Sequence, residues 1–147
     1  MDDRDRRRAT GSRRDLTTAE YRALSELRHR IRRFLHFSED AARAAGLEPH
    51  QHQLLLAVRG LPDDAVPSVS VLAERLQLAN NSAQELVRRT ERRGLVTTSR
   101  RPTDRRQVLV ALTPAGETAL RELSLVHLAE LRAQAAELTR WLERLAG

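Results

Sequence analysis

The sequence predicts a mainly α-helical fold with one small β-hairpin, an α+β arrangement in which the hairpin follows two short helices. Three observations carry this prediction. Apolar residues recur at intervals of three and four over most of the chain, the period of an amphipathic helix. Two runs, "LVTTSR" and "QVLVALT", are instead rich in Val, Leu and Thr, and a short segment with Pro102 and Asp104 joins them. Helix-starting Thr, Ser and Pro and helix-stopping Gly punctuate the rest.

Residues 1–14 hold six arginines, three aspartates and almost nothing apolar, and read as a disordered basic arm. Thr17-Thr18-Ala19-Glu20 is a capping box, in which Thr17 caps and Glu20 reaches back. A helix follows to about Ala45, with Leu24, Leu27, Ile31, Phe34, Ala41 and Ala45 as its stripe and Gly46 as its stop. Pro49 suits a first helical position, and the short helix it opens ends at Gly60. "LPDDAVP" is a loop. Ser68 caps the next helix, which presents Leu72, Ala73 and Leu76 on one face. After the brief turn "LAN", Asn80 or Asn81 caps a helix to Arg93 that buries Ala83, Leu86, Val87 and Thr90, and Gly94 stops it. The hairpin comes next. Thr113-Pro114 then opens a long helix, in which Leu131, Ala135, Leu138, Leu142 and Leu145 form a heptad seam. A break or bend is expected near residues 132–135. No internal repeat is present.

Hydrophobic residues make up 40% of the 147, but aromatics only 3%, so the core must be built from Leu, Val and Ala. So thin a core favours burying helices against a second copy. The chain has no cysteine, which excludes disulfides, thiolate metal sites and thiol redox sensing. The N-terminus has no apolar segment of secretory type, and no run is long enough to span a membrane. A soluble, cytoplasmic protein with no membrane partner is expected. An enzyme is not: there is no Gly-rich phosphate loop, and no motif brings Ser and His together.

The net charge is +6, and every basic residue is arginine. A GC-rich genome accounts for the missing lysine but not for where the arginines gather. Between Arg75 and Arg106 lie nine arginines and three acids, a local excess equal to that of the whole chain. A phosphate-binding surface requires such localisation. Helix, turn, helix and hairpin in that order make a winged helix-turn-helix, whose second helix enters the DNA major groove. Its exposed positions are Asn80, Asn81, Ser82, Gln84, Glu85, Arg88 and Arg89. Asn and Gln can bond adenine bidentately and Arg can bond guanine. Glu85 can accept from cytosine or orient Arg88 or Arg89. A protein-interaction module that has lost DNA binding would have a neutral surface here.

The segment "LAERLQLANNSAQELVRRTERRGLVTTSRRPTDRRQVLVALTPAG" resembles the core of the MarR (multiple-antibiotic-resistance regulator) family. The matching features are "LAERL", "ERRGLV" leading into the wing, the wing's Asp-x-Arg, and "LTPAG"; upstream, "GLEPHQHQLLLAV" is also similar. The resemblance spans roughly residues 20–145. It implies a dimeric, sequence-specific regulator of transcription, usually a repressor released by a small ligand, bound to a pseudo-palindromic double-stranded DNA operator. Residues 15–48 and 114–147 would be the helical dimerisation region and 49–113 the winged-helix DNA-binding domain. In the wing, Arg106 would probe the minor groove, Asp104 would hold its guanidinium, and Arg100, Arg101 and Arg105 would contact phosphates. The alternative is sequence-independent architectural DNA binding, which phosphate contacts alone provide.

No cofactor or metal is predicted. His50 and His52 are two apart on a helix and point in different directions, while His127 and Glu130 can share a face but make an incomplete ligand set. In the family, ligands enter between the dimerisation and DNA-binding regions; the candidates here are Phe34, Phe37, His52 and His127. Trp141 reads as interface packing.

Overall fold

The computed structural model describes residues 14–147; the expected basic arm, 1–14, falls almost wholly outside them. The element order is α1 (Thr18–Ala44), α2 (Pro49–Arg59), α3 (Val69–Leu76), α4 (Asn80–Arg92), β1 (Val96–Arg101), β2 (Asp104–Leu112) and α5 (Pro114–Ala146). The fold is mainly helical with one antiparallel hairpin, as the periodicity predicts.

Local chemistry sets most boundaries. Thr17 Oγ1 accepts from the Glu20 N–H, and the Glu20 carboxylate accepts from the Thr17 N–H, closing the capping box. α1 ends at the Ala45–Gly46 corner, where Gly46 takes φ +78°. Pro49 occupies the first turn of α2 after Glu48. Ser68 caps α3 through the Val71 N–H at 3.3 Å. Gln77, at φ 55°, turns the chain out of α3.

The core lies where α2, α3, α4, the base of the hairpin and the start of α5 meet. Leu54 and Leu55, Leu72, Leu86 and Val87, Val96 and Val110, and Leu120 and Leu123 are buried there. Thr113 links hairpin to α5: its hydroxyl donates to the Gly94 carbonyl at 2.6 Å and accepts from the Gly116 N–H at 3.1 Å. Gly116 is needed at this junction because a Cβ would sit 2.0 Å from the Leu95 carbonyl oxygen. "LTPAG" is therefore a cap followed by a close approach of two backbones.

Two expectations change. α4 begins at Asn80, and its N-cap is Ala79, with no side-chain cap bond, rather than Asn80 or Asn81. The half-buried Leu78 donates its N–H to Ala73, so the extended residue before the helix is Ala79. α5 runs unbroken through 132–135, since no Pro or Gly there interrupts its hydrogen bonds. The α1 stripe reaches the core only at its C-terminal end, where Ala41 packs against it, while Leu24 and Ile31 stay 54% and 48% exposed. On α5, Leu125, Val126, Leu128, Leu131, Leu142 and Leu145 are exposed as well.

Candidate nucleic-acid interface

α4 buries Ala83, Leu86, Val87 and Thr90, the face that periodicity selects. Asn80, Asn81, Ser82, Gln84, Glu85 and Arg88 are exposed together on its other side. Lacking a side-chain cap, the N–H groups of the first turn point outward unpaired by the helix. A groove of about 490 Å³ opens beside them, lined by His50, Leu78, Asn81, Ser82, Glu85 and Arg89.

Two arginines, one on α4 and one just past its end, are held by the corner between α1 and α2. Arg89 donates from Nε and Nη2 to Glu48 Oε2 at 3.3 and 3.2 Å. Arg93, just past the helix, donates to the Gly46 carbonyl at 2.6 Å and to Gln51 Oε1 at 3.2 Å. Gln51 is buried and also accepts from the Glu48 N–H. Arg89 is thus tethered on the edge of the surface, whereas Arg88 is exposed and faces only the Glu85 carboxylate of its own helix. Glu85 lies 3.5 Å from both Arg88 and Arg92, in the exposed geometry that adds little stability.

The hairpin turns at Pro102–Thr103, with an irregularity in register at Arg100/Arg101. Asp104 does not grip the Arg106 guanidinium: its Oδ1 accepts the Arg106 backbone N–H at 3.1 Å. An aspartate two residues before its partner closes a tight local turn more readily than it reaches a long side chain. Arg101 curls back onto Gln107 Oε1 at 3.0 Å and is half-buried. Arg100 makes a long contact of 3.4 Å to the Arg105 carbonyl. Arg100, Arg105 and Arg106 are exposed at or near the tip. The hairpin tip and the outer face of α4 are the two arms of the arginine-rich region.

Phe34, Phe37, His52 and His127 also meet, away from this surface. The His127 ring centroid lies 4.8 Å from that of His52, 5.6 Å from Phe37 and 6.1 Å from Phe34, the two Phe contacts being edge-on. His127 Nδ1 is 2.6 Å from the Leu123 carbonyl and Nε2 2.7 Å from Ser38 Oγ. His52 is buried, and desolvation first, then the nearby His127, pushes its pKa down. α1, α2 and α5 meet at this cluster. Glu130, considered beside His127 as a metal ligand, instead accepts from Gln134.

Residues 45–107 match the model of the MarR family. Solved structures extend the likeness over nearly the whole fold. A MarR family transcriptional regulator, AbsC from Streptomyces coelicolor, is 23% identical and superposes with a TM-score of 0.70 over 90% of this chain and 95% of its own. A mutant MepR from S. aureus, bound to an oligodeoxyribonucleotide, is 17% identical with a TM-score of 0.62, over 89% of this chain and 99% of its own. BpsR of Bordetella bronchiseptica, whose DNA binding is regulated by 6-hydroxynicotinic acid, is 22% identical with a TM-score of 0.58, over 83% and 91%. No curated protein is significantly similar in sequence. These likenesses are of fold: the five helices and the two-stranded hairpin are arranged as in those solved structures. Among the described residues no helix is long and apolar enough to cross a membrane.

Sequence reasoning located α4 and the wing but missed Glu48, Arg93 and Glu91. Glu48 and Arg93 act across 41 to 47 residues of chain, where no periodicity connects the partners. Glu91 bonds Thr98 only because the chain reverses at Gly94.

Proposed function

We propose that the chain is a sequence-specific double-stranded DNA-binding regulator of transcription, acting as a cytoplasmic homodimeric repressor on a pseudo-palindromic operator. The observation that carries this reading is the exposure of polar and arginine side chains on both elements: α4 exposes Asn80, Asn81, Ser82, Gln84 and Arg88, and the hairpin tip exposes Arg100, Arg105 and Arg106. α4 has the polar groups to read base edges in a major groove, with Glu85 orienting Arg88. The unpaired first-turn N–H groups suit a phosphate. Arg106 is the minor-groove probe, and Asp104 shapes the backbone that carries it. Arg100 and Arg105 clamp phosphates; Arg101 and Arg89 join them by letting go of Gln107 and Glu48.

Residues 49–113 are the DNA-binding unit, and 15–48 with 114–147 the dimerisation region, whose exposed leucines a second copy would cover. The effector site is the cluster of Phe34, Phe37, His52 and His127, where these two regions join and where a small aromatic or apolar molecule could separate the rings. The known ligand response of BpsR supports looking for one.

The deciding experiment is selection of bound genomic fragments by the purified chain, followed by titration at several salt concentrations. A pseudo-palindrome with half-sites about one helical turn apart, and affinity falling steeply with salt, is expected. Equal affinity for every duplex would leave only architectural binding.

A further inference from the structure

One rung of the hairpin is held to the helical domain from both sides. Thr98 of β1 pairs with Val110 of β2. In an antiparallel ladder a facing pair either exchanges both backbone hydrogen bonds or turns both N–H groups outward. Here both turn outward, and each finds a partner in the helical domain. The Val110 N–H donates to the Pro67 carbonyl at 2.9 Å, just ahead of α3. The Thr98 N–H donates to Glu91 Oε1 at 3.3 Å, near the end of α4, and the Thr98 hydroxyl donates to the same carboxylate at 3.1 and 3.2 Å. The next bridge, Ser68 to Leu109, continues on the β2 side alone. From Thr98 to the turn at Pro102 the strand projects about 13 Å at strand rise. A small rotation at the rung therefore moves the tip arginines much further than it moves the base.

We propose that Glu91 is the positioning residue of the wing, fixing the angle between the tip arginines and the reading face of α4. It lies one turn beyond Arg88 on the same helix, so a shift of α4 carries the edge of β1 with it. β1 is the free edge of the ribbon, and the carboxylate occupies the place a third strand would take. Val96 and Val110 anchor the base, and Val108 with the Ser68–Leu109 bridge holds the β2 side, so on the β1 side the Glu91 contact is what ties the strand to the end of α4. This inference rests on the DNA-binding reading for its consequence and on the hydrogen bonds for its cause.

The test compares Glu91→Ala, Glu91→Gln and Thr98→Val with the unaltered chain, because Gln keeps an acceptor and Val keeps the strand and the amide. On the free protein, amide exchange at Thr98 should accelerate in Glu91→Ala and stay slow in Glu91→Gln. On the selected duplex, Glu91→Ala should lose hydroxyl-radical protection in the minor groove under the wing while major-groove protection under α4 persists. Its affinity should fall roughly tenfold, Thr98→Val less, and Glu91→Gln should restore both footprint and affinity. Slow Thr98 exchange in Glu91→Ala, an unchanged wing footprint, or an equal defect in Gln and Ala would overturn the proposal. An unaltered chain that binds no duplex would overturn the regulator reading instead, while exchange on the free protein still decides whether Glu91 holds the wing.

Discussion

The arginines of this surface are not equivalent, and their partners rank them. Arg93 is committed to the Gly46 carbonyl and Gln51, Arg89 to Glu48 and Arg101 to Gln107. Arg106 has an exposed side chain, and its backbone is fixed by Asp104. Its replacement should therefore cost binding and little else. Arg106→Ala is expected to weaken operator binding by about 1–3 kcal/mol, with the melting temperature unchanged. If it probes a narrow A·T minor groove, the loss should be largest on operators with A·T steps under the wing. Titration against operators with and without those steps checks this, and equal affinity of variant and parent would remove Arg106 from the interface. Arg89→Ala should behave differently, lowering stability and binding together, because it also releases Glu48.

At the scale of elements, most boundaries were legible because they depend on neighbours in sequence. The Thr17 box, Pro49, Ser68, Gly94 and Thr113-Pro114 each act within three or four residues. Ser68 has a further duty, since the chain around it pairs with β2 at Leu109. Ser68→Ala should remove the α3 cap and cost about 1 kcal/mol, seen as a lower midpoint in urea with an unchanged slope. A change below a few tenths would mean the β2 contacts alone hold that end. What could not be read depends on distance. The α4 cap was misplaced because two asparagines are the better capping residues, but Leu78 is drawn inward one residue earlier. No Pro or Gly breaks α5 near 132–135, and the helix is continuous there. The Asp104–Arg106 pairing was right in residues and wrong in atoms, since the backbone N–H lies nearer than the guanidinium. The four aromatic and histidine residues were grouped by a family likeness, and their edge-on packing required the crossing of α1 with α5.

At the scale of the whole molecule, the α1–α5 crossing carries two kinds of contact. Arg30 donates to Glu26 and Glu137, tying the helices at their outer edge. Around it stand exposed leucines of both helices, together with an open groove of about 1050 Å³ beside Leu16, Leu24, Trp141 and Leu145. Dimerisation through this region predicts that Leu131→Glu with Leu142→Glu gives monomers by light scattering at micromolar concentration; an undisturbed dimer would place the interface elsewhere. The inner contact, His52 against His127, gives a pH dependence of definite sign. Burial lowers the folded pKa of His52 below its ordinary 6.5, so the unfolded chain takes up a proton more readily. The stability this contributes is complete above pH 6.5, declines as pH falls below it, and levels off once the folded pKa is passed. Carboxylates do not mimic this effect in the same window. Glu20, hydrogen-bonded chiefly by Arg14, is lowered to about 2, and Glu137 is lowered by Arg30, so their contributions persist until the pH drops below the ordinary 4.5. Between pH 7 and pH 5 the melting temperature should therefore fall, and His52→Gln should flatten that fall even if it lowers stability at every pH. A parent chain with the same melting temperature at both ends of the window would mean the buried imidazole is protonated as easily as a free one. In that case the junction of α1, α2 and α5 would have to open far enough to admit water.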